Sequence, residues 1–369
     1  MSWFLAFAGF AALIILHEFG HFAVAKAVGM RVERFMLFFP PVLAKVRRGE
    51  TEYGIGALPL GGYVKITGMN PAEEIPPEHQ DRAYFRQPVR KRVVVIAAGP
   101  GMNLLIAFLI FVGLFLSQGV FQDALAVDRV VPGSPAQRVL QPGDRIVSLD
   151  GHPGYQAGLS EKEIQARELE FRKLVNSHRC AGKLTSGCVA TTPVRVIVLR
   201  HGARLTLEIR PRYSAADKRM LLGLSYGITQ HVGVARAADL SVNAMWRVTK
   251  GTVTAIVRIF YSAQARKQVS GVVGSYEATR QSFQFDTAQA LNVLAIISLS
   301  LAVVNLFPFL PLDGGHIFWA LAEKLRGRPI PYLIIERASV IGFMLVAFLF
   351  IVGLSNDIGR LRGQGFGIR

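Results

Sequence analysis

Residues 14–23 read Ile14-Ile15-Leu16-His17-Glu18-Phe19-Gly20-His21-Phe22-Ala23, an H-E-x-x-H pattern inside an apolar segment. On a helix, His17 and His21 fall one turn apart on one face. Two imidazoles there can grip one zinc, with Glu18 beside them as a candidate general base. From Trp3 to Ala25 the chain is almost wholly apolar, and the motif supplies its only ionisable groups. That length crosses a bilayer, and ionisable groups at such depth are costly and usually functional. A buried histidine pair in a soluble helix is the bland alternative.

Of 369 residues, 51% are hydrophobic, and the mean hydropathy of +0.34 points to a membrane protein with two or three structural units. The net charge of +17 raises nucleic acid as a partner. The basic residues are nevertheless dispersed, with no basic module interleaved with aromatics. We read them as topology signals and as attraction to anionic lipid, with no nucleic-acid binding. Met1-Ser2-Trp3 has no basic n-region, so the first segment reads as a permanent span and not as a signal peptide.

Lys26, Arg31, Arg34, Lys45, Arg47 and Arg48 follow the first span, which places the N-terminus outside and this loop inside. His17 then lies roughly 21 Å down the helix from Trp3, in the cytoplasmic half of the membrane. Thr51 to Thr67 carries β-type residues around Pro59-Leu60-Gly61-Gly62 and reads as a hairpin or sheet dipping towards the membrane, whose edge can pair with an extended substrate. An ordinary cytoplasmic hairpin is the alternative. Pro71 to Pro88 is a loop, and Arg90-Lys91-Arg92 marks the cytoplasmic entry to a second span, Val93 to Leu116. Within it, Ala98-Gly99-Pro100-Gly101-Met102-Asn103 is expected to break or thin the helix. Asn103 reads as interhelical glue, with a place beside the active site as the alternative.

From Leu125 to Pro211 the character is that of a soluble domain, whose Pro142-Gly143-Asp144-Arg145-Ile146 and Gly133-Ser134-Pro135-Ala136 segments resemble a PDZ domain. Such domains bind extended peptides by strand addition. A charged helical stretch and the loop holding Cys180 and Cys188 look inserted. A disulfide there suits an oxidising exterior, two free thiols being the alternative. Asn243 to Ser262 is apolar but carries Arg247, Lys250 and Arg258; it reads as an interfacial amphipathic helix in preference to a fifth span. Ala290 to Val304 is a third span, stopping at Asn305-Leu306-Phe307-Pro308-Phe309-Leu310-Pro311-Leu312-Asp313-Gly314-Gly315. Entered from outside, it ends roughly 22 Å inward, level with His17. After a basic loop at Glu323 to Pro329, Tyr332 to Leu354 forms the last span, with a short polar tail outside.

A catalytic zinc takes three protein ligands and keeps one position open. The candidate third ligand is Asp313, a carboxylate at matching depth, with capping of the following helix as its alternative role. Asn305 is a candidate to hold substrate backbone or a developing oxyanion, or else bonds only its own backbone.

Together these segments resemble the site-2 protease family of intramembrane zinc metalloproteases, in its bacterial form with a single PDZ domain and most like actinobacterial members. The resemblance rests on His-Glu-Phe-Gly-His, Leu-Gly-Gly-Tyr-Val-Lys, Ala-Gly-Pro-Gly-Met-Asn, the PDZ-like segment, Asn-Leu-Phe-Pro and Leu-Asp-Gly-Gly, and spans nearly the whole chain. Where the family pattern often has a second proline, Leu310 stands here and Pro311 follows. The resemblance implies one Zn2+ per chain on His17, His21 and Asp313, and Glu18 as base. It also implies regulated intramembrane proteolysis of single-span proteins such as anti-sigma factors after a first cut. The expected architecture is a polytopic α-helical membrane protein with four transmembrane helices, a membrane-associated β-hairpin and an extracytoplasmic PDZ-like α+β domain. Its parts are residues 1–116, 125–212 for the PDZ-like domain, 213–287 as an interfacial helical region and 288–369; the location is the cell membrane. The outer domain is expected to act as a size filter that excludes uncut substrates. Competing readings are a non-catalytic receptor or scaffold that binds peptide tails through its PDZ domain, and a metal transporter. A structural zinc would be closed by four protein ligands, and a transport path would show further acidic or histidine sites; neither is evident in the sequence.

Overall fold

The computed structural model describes residues 1–70 and 73–364. Pro71 and Ala72, which open the loop read from Pro71 to Pro88, and the last five residues of the tail lie outside the described residues. The chain forms two compact units, one of Met1–Phe115 with Gly233–Arg369 and the other of Leu116–Val232.

The first unit opens with α1 (Ser2–Ala27), apolar on all sides and so without the stripe of a helix on a soluble core. Two long strands follow, β1 (Val32–Arg48) and β2 (Thr51–Ile66). Both bend, so that each contributes two arms. Phe35 pairs with both Tyr53 and Val64, and Tyr53 pairs with both Phe35 and Val46. The arm Val32–Leu37 therefore lies between 51–56 and 61–66. This corrects the hairpin reading: the chain does turn near Pro59, but the segments it joins are separated by an earlier one. The separation is driven by burial, since Val32, Met36 and Ile66 are all almost fully covered and Phe22 of α1 packs edge-on against Phe35 and Tyr53. At the far turn, Arg82 and then Lys26 hydrogen-bond Glu50 and hold its carboxyl down at about 2. A depressed carboxyl stabilises the fold above its unfolded value, and that contribution is lost as pH falls towards 2.

The second apolar helix, α2 (Val89–Gln118), runs unbroken through Pro100, so of the break or thinning expected there no break occurs. Proline forfeits one backbone bond, whereas a full break in lipid strands several groups with no water to receive them.

The second unit contains β3 (Val120–Val130), β4 (Arg145–Leu149), β5 (His152–Pro153), α3 (Glu161–Ser177), β6 (Val194–Arg200), β7 (Ala203–Ile209), β8 (Arg212–Ser214), β9 (Arg219–Leu221) and β10 (Leu224–Gln230). Its main sheet has the order β10-β3-β4-β6-β7, with β5 beside β4. α3 starts at a Ser160/Glu163 capping box and buries Phe171 and Val175 against Leu125, Ile146, Val196 and Val198. Cys180 and Cys188 are joined in a disulfide, their Cα atoms 6.2 Å apart. Residues 213–232 are strands, not the start of the helical region expected from 213. Met220, Leu222, Leu224 and Tyr226 recur every second residue and all pack on this core. β10 returns to pair with β3 as far as Gln230 against Val120, so the two ends of the unit meet.

The chain then re-enters the first unit through α4 (Val234–Tyr261), α5 (Ala263–Gln268), α6 (Val272–Phe285), α7 (Thr287–Asn305), α8 (Asp313–Arg326) and α9 (Tyr332–Gly359). Four described helices are long and apolar enough to cross a membrane: Ser2–Ala27, Val89–Gln118, Thr287–Asn305 and Leu333–Gly363. Their outward side chains fit lipid contact, with Leu109 of α2 58% exposed and Phe343 of α9 62%.

Near its end α9 carries Asp357, fully buried, whose carboxylate accepts the Gly271 N–H at 3.1 Å and the Gly274 N–H at 2.8 Å and so caps α6. Asp357→Ala is expected to destabilise the fold by about 2 kcal/mol. It should lower the unfolding temperature in detergent, and Asp357→Asn, which keeps one acceptor, should lower it less.

Candidate metal centre

His17 and His21 lie one turn apart on α1 with ring centroids 5.0 Å apart and planes at 84°. Both are buried, 8% and 7% exposed. The third member comes from the other end of the chain. α7 ends at Asn305, and Phe307 to Leu312 makes a tight turn in which the Phe309 N–H donates to Phe307 O and the Leu312 N–H to Phe309 O. Its Leu310–Pro311 peptide bond is cis. α8 then begins at Asp313, with Leu312 at its N-cap and no side-chain capping bond from that residue. The start of α8 lies so close to this turn that a Cβ on Gly314 would sit 2.2 Å from Leu306 O, so only glycine fits there.

Asp313 Oδ2 is 3.3 Å from His17 Nε2 and 3.3 Å from His21 Nε2. Among the described residues, these three form the one group of His, Cys, Asp or Glu whose ligand atoms converge, all within 4.8 Å. The set fits zinc on two counts. Two ligands each about 2.1 Å from a tetrahedral ion lie roughly 3.4 Å apart, close to the spacing seen. Two imidazole nitrogens and one carboxylate also form a catalytic donor set, with a fourth position left open.

Behind the three candidate ligands stands α2. The His21 Nδ1–H donates to Val95 O at 2.9 Å, which leaves Nε2 facing the cluster. Asn103 is fully buried with its amide 3.2 Å from His17 Nδ1. Its Nδ2 faces the ring while Oδ1 has no partner, and half a turn of the amide gives the His17 Nδ1–H an acceptor at no steric cost. Asn103 therefore touches the candidate centre, where glue between helices was the preferred reading. It also accepts the Ser298 hydroxyl at its backbone oxygen, so it joins α2 to α7 as well. Asn305 directs Nδ2 at His17 Nε2 from 3.5 Å, into the cluster and not back to its own backbone.

Arg92, read in sequence only as a topology signal, donates through both terminal nitrogens to Glu323 at 2.6 and 3.0 Å and is 8% exposed. This pair ties α2 to α8, the helix that begins with Asp313. The partners are 231 residues apart, and nothing local announces them. Glu18, adjacent to His17, lies between the cluster and the arm 61–66. The Val64 N–H hydrogen-bonds its carboxylate, and a Cβ on Gly62 would lie 2.8 Å from its Cγ. That arm pairs on one side with Val32–Leu37, and no described strand pairs with its other side.

The family model described as peptidase family M50 matches residues 5–349. The chain belongs to this family. A Clostridium perfringens protein named as a zinc metalloprotease is 32% identical over 96% of this chain and 97% of its own length. Similarly named proteins from Rhizobium meliloti and a Nostoc species are each 30% identical, covering 95% and 99% of this chain and 94% and 98% of their own. This M50 member is a site-2 protease-type zinc metalloendopeptidase and a multi-pass membrane protein that acts on membrane-embedded substrates.

The packing on α2 can be tested through Gly99, since a Cβ there would stand 2.1 Å from His21 Nε2. Gly99→Ala is expected to displace the ring and lower zinc content by at least the 10- to 100-fold in affinity typical of lost supporting contacts, about 1.4–2.7 kcal/mol. The unfolding temperature should change little. Zinc titration by elemental analysis beside a thermal melt separates the two outcomes.

Proposed function

We propose that one zinc per chain is held by His17, His21 and Asp313 and that Glu18 is the general base of intramembrane peptide-bond hydrolysis. The observation that carries this reading is the Asp313 oxygen lying 3.3 Å from both imidazole nitrogens, with Glu18 on the adjacent position of the same helix. When bound, zinc supplies Lewis-acid polarisation of the scissile carbonyl and activation of water. Glu18 takes the proton of the attacking water and returns it to the leaving amine. Asn305 donates its amide hydrogen to the substrate carbonyl as negative charge develops there, a contact worth most in a site without bulk water. Val95 O and Asn103 keep the His17 and His21 ring protons on Nδ1, so both Nε2 atoms remain available.

The substrate must arrive unwound. A helical segment keeps its own backbone bonds, and opening it in lipid costs several kcal/mol per unpaired group. The unpaired side of the 61–66 arm offers replacement donors and acceptors within reach of Glu18, so strand addition would present an extended peptide to the base. In this reading the Val64 N–H exchanges Glu18 for substrate as the peptide docks.

For sidedness we propose an outside N-terminus, an inside 26–48 loop and an outside sheet unit of PDZ type. The run of basic residues after α1 supports this, as does a disulfide in the sheet unit. The substrates would be single-span proteins such as anti-sigma factors after a first cut, with the sheet unit as a size filter.

Glu18→Gln should retain zinc and lose activity by about 10²–10⁴-fold, and Asp313→Asn should lose zinc and activity together. A cleavage assay on a membrane-embedded model substrate, run beside zinc analysis, checks both; full activity in Glu18→Gln refutes the assigned base. Because Val120 pairs with Gln230, the sheet unit can be replaced by a short linker between Gln118 and Val232. Such a variant should cleave pre-trimmed substrate and also gain cleavage of the full-length form. Unchanged discrimination between the two substrates would remove the filter from this reading.

A further inference from the structure

α4 presents three faces. Ser241, Ala244 and Ile259 are buried against the bundle, and Thr252 Oγ1 lies 3.2 Å from Ser300 Oγ of α7. A second face carries Val242, Trp246, Val253, Val257 and Phe260, exposed by 39 to 67%. The third carries Arg247, Lys250 and Arg258, which with Thr254, Ala265 of α5 and Val269 just beyond it line a cavity of about 500 Å³. These positions follow one row of the helix at steps of three and four, so three like charges are stacked along one wall and repel each other.

No described carboxylate answers them. Among the described residues none of the three cations has an ion-pair partner, and the acids of this region are engaged elsewhere. Asp239 pairs with Arg236 at 2.7 Å, Glu277 with Arg280, and Asp357 with the start of α6. On another side of α4 an apolar groove of about 450 Å³ runs between α4, α2 and α7, bordered by Leu105, Phe108, Met245, Trp246 and Leu299. The two spaces meet along one edge of α4, where Trp246 of the groove stands one helical turn from Lys250 of the cavity. A site with a concentrated positive end and a dry, elongated apolar end matches one amphiphile with a single negative head.

We infer that α4 binds an anionic glycerophospholipid, its phosphate among Arg247, Lys250 and Arg258 and one acyl chain along the Trp246 groove. Three uncompensated cations favour a headgroup of net negative charge over a zwitterionic one, whose own ammonium would enter the same cavity. A soluble phosphate ion shares the head chemistry but leaves the groove unused. Bound lipid would fill the space between α4 and α2, and the site is separate from the histidine cluster.

The chain has three tryptophans, so Trp3→Phe with Trp319→Phe leaves Trp246 as the sole reporter. In vesicles of zwitterionic lipid, trace brominated phosphatidylglycerol should quench Trp246 at several-fold lower mole fraction than brominated phosphatidylcholine. Replacing Arg247, Lys250 and Arg258 with Gln should erode that preference by roughly fivefold per charge until the lipids are equivalent. Arg247→Lys with Arg258→Lys should keep it. Native mass spectrometry of the unsubstituted protein should show retained phosphatidylglycerol, lost in the triple Gln variant at unchanged unfolding temperature. Equal quenching by the two lipids, or an unaltered preference in the triple variant, would overturn the site. Full loss of the preference in millimolar inorganic phosphate at constant ionic strength would reassign the cavity to a soluble anion.

Discussion

The structure depends on keeping one carboxylate, Asp313, among apolar helices. An uncompensated charge there would cost several kcal/mol, and the two Nε2 atoms 3.3 Å away lie where a shared cation would offset it. That requirement reaches far along the chain. α7 must stop at the depth of His17, the turn at Pro308 must reverse the backbone within a few residues, and Gly314 must leave room for it. α8 is then drawn against α2 by Arg92 and Glu323, a part-buried bidentate pair whose geometry holds only in this alignment.

The bent strands answer a second constraint. Irregular or open-edged backbone is tolerated at membrane depth only when protein covers it or it lines a wet cavity. Placing Val32–Leu37 between the two arms of β2 pairs both sides of the arm 51–56, and α1 covers its face through Phe22. The two outer sides, of 42–48 and of 61–66, remain open, and the second is the stretch that meets Glu18. One of the two open edges thus stands beside the candidate base, where one of its donors, the Val64 N–H, already bonds a carboxylate.

Local features carried much of this in sequence. Apolar length located four spans, the i, i+4 histidines announced a ligand pair, and counting residues from each membrane face led from His17 to Asp313 across nearly three hundred residues. What stayed hidden was long-range or ambiguous in period. Arg92 looked like any basic residue at a membrane boundary, because its meaning depends on Glu323. Asn103 looked like glue because an amide serves equally well for a helix or an imidazole. The strand inserted between the arms of β2 had no signal, since register is set by burial on α1. The strands at 219–230 did have one, an alternation from Met220 to Tyr226, masked by the helical segments that follow.

The continuity of α2 links these points. Arg92, Val95, Gly99 and Asn103 are spaced by three, four and four residues, so one stripe of the helix carries the clamp to α8, the acceptor for His21, the clearance for its ring and the contact to His17. A break at Pro100 would rotate Asn103 away from the others and leave the two histidines oriented by unrelated pieces of chain. The helix instead gives up a single hydrogen bond at Pro100 and keeps its phase. α2 supplies no candidate ligand, yet its regular geometry brings the tautomer of both rings and the placement of Asp313, the third candidate, under the control of one rigid element.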